Sequence, residues 1–546
     1  MKRTKRIVGL LLCIAMLVPV LAGCGGNSNT DTSSAPPTAS ETSSQAVEVT
    51  PASSAPPDIV AAPSAAPTEA DVEFVKHLTM TSESIAVIDL FNPAFQSAWI
   101  LIVCHMMFDT LMYRNYDNVY EPRLALEWGT DDGQTYWFKL REGVYFHNGE
   151  LFTASDVAYM IDRVKDTPGV PSYDTYKQIK SYEIINDYEI TVTLEAINVE
   201  FIAQFATCSI ANKKAYDDDP EKGGWIGTGP WIVESFVPTE RIEMVRNENF
   251  WGEKPVTERF TWIYVAEATA QLIMLENGDV QLSGISNTNV PIYENDPRFQ
   301  IRAYVMNNCN YLAFNMMKPV TADINFRKAV AHALVRQEIV DIAVGGYGAT
   351  VDHGTIWGYR IPFKGDDIPQ IPYDLEAAKA CLEASGYKGE TIQLVAGMSH
   401  TIATAQVVQQ QLSKIGINVE IFDTDPPTLA TYVTWGHTGA DIVVNSAVFA
   451  RPSSVRSYLM PGMNANTANY ENPEMNRLLD EVVVTVDEAA REKLYREIQQ
   501  IIADDIPYVG TMHMGMNRIE AAGVGGVVYF PDNNWDFRYT YMVKQD

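Results

Sequence analysis

Residues 391–422 read TIQLVAGMSHTIATAQVVQQQLSKIGINVEIF, and this stretch decides the fold class. The pattern predicts a strand over 391–395, a helix over 403–415 stopped by Gly416, and a strand over 417–422. Two strands joined by one helix imply a parallel, right-handed crossover. The chain therefore reads as α/β.

The same alternation extends outward. A helix is expected over 323–344, with Phe326, Val330, Ala333 and Leu334 on one face. Asp374 can cap a helix that ends at Gly386 and turns Cys381 and Leu382 inward. A last long helix, 488–503, carries Leu494, Ile498 and Ile501. Toward the N-terminus, Tyr136-Trp-Phe-Lys-Leu140 alternates, and with Val144-Tyr-Phe146 it reads as a hairpin turning at Gly143. Thr153-Ala-Ser-Asp156 has the form of a capping box, opening a helix whose apolar face is Val157, Met160, Ile161 and Val164. Hairpins are expected over 182–194, turning at Asn186-Asp187, and over 231–245, turning near Pro238. Asp131-Asp132-Gly133 reads as a turn. No internal repeat is visible.

The N-terminus is a targeting segment. Lys2, Arg3, Lys5 and Arg6 precede an apolar run, 7–21, too short and wrongly flanked to span a membrane. The run ends in Leu21-Ala22-Gly23-Cys24, which resembles the lipobox of bacterial lipoproteins. That resemblance implies cleavage before Cys24 and its lipidation, with each buried CH2 of the lipid contributing about 0.8 kcal/mol to anchoring. Residues 25–70 are dominated by Ser, Thr, Pro and Ala and read as a disordered tether, 24–71 with the lipidated cysteine. The rest of the chain exceeds one ordinary core, so two or three lobes are expected.

The formal net charge is −29, and removal of residues 1–23 takes away cations only. This argues against nucleic acid as a partner, which needs clustered Lys and Arg. Cys104, Cys208, Cys309 and Cys381 show no zinc or CxxC spacing. The eight histidines are scattered, and neither HExxH nor a phosphate-cradling glycine loop is present. Gly397-Met-Ser399-His-Thr401 lacks the second glycine of a nucleophile elbow. No catalytic group, cofactor or metal is expected, and the chain does not read as an enzyme.

A series of short blocks runs in order along the chain. They are Phe108-Asp-Thr-Leu111, Glu121-Pro-Arg-Leu-Ala125 with Trp128, Phe138-Lys-Leu-Arg-Glu-Gly-Val144, Phe146-His-Asn-Gly149 and Thr153-Ala-Ser-Asp-Val157. Gly227-Thr-Gly-Pro-Trp231, Arg246-Asn247 with Phe250-Trp251-Gly252, and Leu275-Glu-Asn-Gly-Asp279 follow. Then come Phe314-Asn315, Phe326-Arg327, Gly416-Ile-Asn-Val419 and Ile506-Pro507-Tyr508. In order and spacing these blocks resemble the family-5 extracytoplasmic solute-binding proteins, which include the oligopeptide- and dipeptide-binding proteins of ABC importers. Gly227 and Gly229 are expected in a tight turn, and Arg327 in a structural pair. The resemblance implies a two-lobed periplasmic-binding-protein-like fold of type II, with an extra subdomain inserted in the first lobe. The boundaries it implies are 72–95, 222–310 and 500–546 for lobe I, 96–221 for the insert, and 311–499 for lobe II. It also implies hinged closure over a small-molecule or peptide ligand and delivery to an ABC permease and ATPase. The protein would be a monomer outside the cytoplasmic membrane, lipid-anchored to its outer face (the periplasmic side where there are two membranes). A non-peptide solute, oligosaccharide or anionic, and a ligand-sensing lipoprotein are the alternatives.

One departure bears on the ligand. In the peptide-binding members an aspartate of the second lobe receives the peptide ammonium. Here the corresponding segment, Asp441 to Pro452, has no tryptophan, and no acid occurs over 442–470. Arg451-Pro452 stands where the family often has Asp-Pro. Either Arg451 faces the cleft and meets an anionic or carbonyl group by a forked contact, or it is a surface residue. Asn445, Ser446 and Phe449 accompany it as ligand-binding candidates. Trp357, Trp435, Phe95, Ser97 and Asn310 complete the set.

Overall fold

The computed structural model describes residues 73–83, 98–115, 119–168, 170, 172–219, 223–352, 354, 356–449, 451–531 and 535–545. The targeting segment, Cys24, the tether, Phe95 and Ser97 lie outside the described residues.

The decisive unit forms as expected. Strands Thr391–Ala396 and Asn418–Asp423 run parallel, pairing Thr391 with Asn418 and Ala396 with Asp423. The helix between them, Ser399–Ser413, buries Ala405, Val407, Val408 and Leu412, and Gly416 takes the positive φ of 88° that ends the crossover. The helix starts four residues earlier than its apolar pattern suggests. The Thr401 hydroxyl accepts from the Met398 N–H at 3.0 Å and caps the first turn.

Strand Ile442–Val448 lies parallel to Thr391–Ala396 and antiparallel to Asn308–Phe314. Next in the sheet is the 14-residue strand Tyr508–Ala521. Its first part pairs with Asn308–Phe314, and its second part with Phe299–Val305 and Leu282–Gly284. Beyond these lie His77–Ser82, Arg259–Tyr264, Arg241–Arg246 and Trp231–Val237. One long strand thus runs through two half-sheets. A second crossing runs beside it, where Phe299–Val305 gives way to Asn308–Phe314.

Each half-sheet has its own core. One gathers Leu78, Trp231, Phe260 and Trp262 with Tyr529, Trp535 and Phe537 from the end of the chain. The other half is packed on both faces. Leu312, Phe326, Val330, Leu394 and Val408 fill one side, and Tyr311, Val443, Tyr495 and Ile498 the other. Each such side chain contributes roughly 1.5–3 kcal/mol on burial. A separate sheet, ordered Ala125–Gly129, Thr135–Leu140, Glu189–Leu194, Ile179–Asn186, joins the first core.

The structure corrects three local expectations. Thr135–Leu140 does not pair with residues 144–146. Its partners are Glu189–Leu194 and Ala125–Gly129, and Tyr145 makes only a bridge to Leu151. The helix expected over 323–344 is two helices, Ile324–Ala333 and Arg336–Ala343. The break is held by Gln411, whose amide bonds both the N–H and the carbonyl of Val335 at 3.1 Å. Gly227 and Gly229 have ordinary φ; a Cβ on either would strike the backbone carbonyls of Met107 or Met106 within 2.0–2.6 Å, so close approach requires them. The capping box at Thr153, the hairpins at Asn186 and Pro238 and the Asp132 turn form as read.

Candidate functional site

Parallel strands present their carboxyl ends to a common border where the two half-sheets meet. A cavity of about 500 Å³ lies there, lined by Ser82 at the end of His77–Ser82, by Ser399 and His400 after Thr391–Ala396, and by Met514–Arg518 of the crossing strand. Ligands of open α/β sheets bind at such ends.

Arg518 projects from the crossing strand opposite Gly284. Its guanidinium carbon sits 4.0 Å from the centroid of Trp535, whose indole N–H donates to the Tyr304 hydroxyl at 3.2 Å. Arg518 is 8 % exposed, and among the described residues its Nε and Nη2 meet no acceptor. Two residues on, Glu520 is buried, which pushes its carboxyl up. It is already engaged by Arg302 at 3.1 Å, Gln300 at 2.8 Å and the Tyr529 hydroxyl at 2.7 Å. Asn517 donates to Asn287 Oδ1 at 2.8 Å, while its own Oδ1 has no donor. Asn287 in turn donates to the Val344 carbonyl of the other half at 2.6 Å. His400 Nε2 also lacks a partner, and burial holds this imidazole below its ordinary pKa.

A larger cavity, about 860 Å³, lies between residues 174–204 and 448–483 and is lined by Glu200, Arg451, Ser453 and Tyr458 among others. Glu200 accepts from the Tyr495 hydroxyl and, at 3.3 Å, from the Ser453 N–H. Arg451 Nε is 4.0 Å from the same carboxylate and donates to Ser453 Oγ at 3.1 Å. The Arg451 side chain is 36 % exposed. Nearby, the Val199 N–H donates to the Val483 carbonyl at 2.9 Å. Burial and the Glu200 charge push the Tyr495 phenol up, so it remains a donor.

The residues singled out from sequence divide. Arg451 reaches the large cavity, but its partner there is the protein's own Glu200. Trp357 and Phe449 are corrections: both are 0 % exposed and pack against each other, and Trp357 donates to the Pro362 carbonyl. They fill the core beneath the cleft. Trp435 is half-buried and lines none of these cavities. Ser446 accepts from Asn308 at 3.3 Å, and Asn445 sits opposite Tyr311 in the ladder. Asn310 is 1 % exposed, with both amide atoms unpartnered. Arg518, Asn517, His400 and Glu200 were not legible as site residues. Only the Ser399-His400 turn carried a signal, its place directly after a strand. Among the described residues no group of three or more His, Cys, Asp or Glu side chains could hold a metal ion.

A family model described as bacterial extracellular solute-binding proteins, family 5 Middle, matches residues 119–467. The nickel-binding periplasmic protein of Escherichia coli K12 is 24 % identical over 475 residues, covering 81 % of this chain and 90 % of that protein. The glutathione-binding protein GsiB of Escherichia coli K12 is 26 % identical over 431 residues, covering 75 % and 83 %. In fold, the crystal structure of the ABC transporter substrate binding protein CtaP from Listeria monocytogenes superposes with a TM-score of 0.80 at 22 % identity, over 86 % of this chain and 100 % of that one.

Proposed function

Because this chain belongs to the bacterial extracellular solute-binding proteins of family 5, a family of two-lobed binding proteins that serve ABC importers, we propose that it captures peptides or peptide-like small solutes by hinged closure. The observation that carries this reading is the pair of crossings at residues 305–308 and in Tyr508–Ala521, with cavities of about 500 and 860 Å³ beside them. These volumes lie in the range of small-ligand pockets. Lobe I is assigned to 72–95, 222–310 and 500–546, its insert to 96–221, and lobe II to 311–499. Contacts across the border support closure in this arrangement: Glu200 with Tyr495 and Ser453, Val199 with Val483, and Asn287 with Val344. A closed state of this kind acts only through its higher affinity for the ligand.

The lipid at Cys24 then tethers a monomer to the outer face of the cytoplasmic membrane, within reach of the permease. A relative named for glutathione, a small peptide bearing carboxylates, supports the peptide-like class. An anionic non-peptide solute is the second reading, favoured by the unpartnered Arg518. Native mass spectrometry of the purified protein tests the assignment. A co-purified peptide is the expected result. A co-purified sugar or chelated metal contradicts the peptide class.

A further inference from the structure

The cavity beside the crossing strand contains more hydrogen-bonding capacity than the protein itself uses. Arg518 is nine-tenths buried, and its Nε and Nη2 are adjacent donors on one edge of the guanidinium. Trp535 covers the face of that group at 4.0 Å, which fixes its plane and leaves the edge free for an in-plane acceptor. A buried guanidinium without a counter-charge is strongly unfavourable. The nearby buried carboxylate cannot supply one, because Glu520 is bonded to Arg302, Gln300 and Tyr529. Glu83 lines the same cavity but is exposed. Across the cavity, Ser399 and His400 open the 15-residue helix Ser399–Ser413, whose first-turn N–H groups and dipole favour an anion.

From this we infer that the Arg518 pocket receives a carboxylate of the captured solute, forked onto Nε and Nη2, with the N-terminus of the Ser399–Ser413 helix as the opposing electrostatic wall. The inference rests on the solute-capture reading and specifies its ligand: the solute carries an anionic end that lies between the two halves. Arg518 then serves recognition and closure together, because it stands on the lobe I side of the border and the helix on the lobe II side. Neither half completes the site alone.

Wild-type protein, Arg518→Met and Arg518→Lys are incubated with a degenerate tetrapeptide library as free acids, the same library as C-terminal amides, glutarate, and maltotriose. Retention is read by native mass spectrometry and affinity by calorimetry, with melting temperature as the check on folding. Wild type should hold free acids at least tenfold more tightly than amides. Arg518→Met should abolish that preference, and Arg518→Lys should keep part of it. The wild-type comparison needs no variant, so a misfolded Arg518→Met leaves the test intact. Amides or maltotriose held as tightly as free acids overturn the inference. So does a folded Arg518→Met that keeps the preference, or a wild type that holds no carboxylate probe. Retention of glutarate without any peptide removes the peptide class alone and supports the inference.

Discussion

Arg451 and Arg518 both border the cleft, and their surroundings are opposite. Arg451 is half-exposed, stands 4.0 Å from Glu200 and is tied to its neighbour Ser453. Arg518 is nearly sealed from solvent, stacked on Trp535, and has two donors with no acceptor. The first charge is answered from within the protein, by Glu200. The second meets no acceptor at Nε and Nη2 among the described residues. The difference separates two jobs. A pair across the border stabilises the closed state whatever lies inside, whereas a buried donor fork selects what may lie there.

Arg518→Met should cost about 2–5 kcal/mol in affinity for a carboxylate solute, measured by calorimetry, and leave neutral probes unchanged. Next in size is an acid effect at the crossing. Burial lowers the pKa of His513, on the strand that joins the halves, from 6.5 to about 4. Its folded pKa lies below its unfolded one, so the unfolded chain binds the proton first as pH falls. Stability should therefore decline between pH 6.5 and about 4, by about 2–3 kcal/mol from this group, and a His513→Gln variant should show a flatter profile in chemical denaturation. Glu200→Ala should weaken solute capture by about 1–2 kcal/mol, because it strips partners from Tyr495 and Ser453. Arg451→Ala should cost less than about 1 kcal/mol, since the pair is long and partly solvated. A larger effect of Arg451→Ala than of Arg518→Met would reverse the assignment.

Much of the fold was readable because its determinants are local. The Thr153 box, the Asn186 turn and the strand–helix–strand of residues 391–422 each declare themselves within a few turns of chain. The failures were non-local. The partner of Thr135–Leu140 lies about fifty residues on, at Glu189–Leu194. The break after Ala333 is enforced by Gln411 from another helix. The site failed for the same reason. Arg451 stands in a segment that the family resemblance marks, but its partner, Glu200, lies far earlier in the chain. Arg518 looks like any strand arginine until Trp535, seventeen residues on, covers it.

One interresidue distance tests hinged closure. Spin labels are placed at the exposed positions Glu183, in strand Ile179–Asn186, and Lys493, in helix Glu488–Asp505, as Glu183→Cys and Lys493→Cys in a Cys381→Ala background. Burial pushes the Cys104 and Cys309 thiols up to about 12 and Cys208 up to about 11, so these remain unlabelled. Pulsed electron resonance is recorded with and without the solute found by native mass spectrometry. A broad or longer distribution that collapses to one short distance when solute is added is the predicted result. Identical distributions in both states would contradict hinged capture.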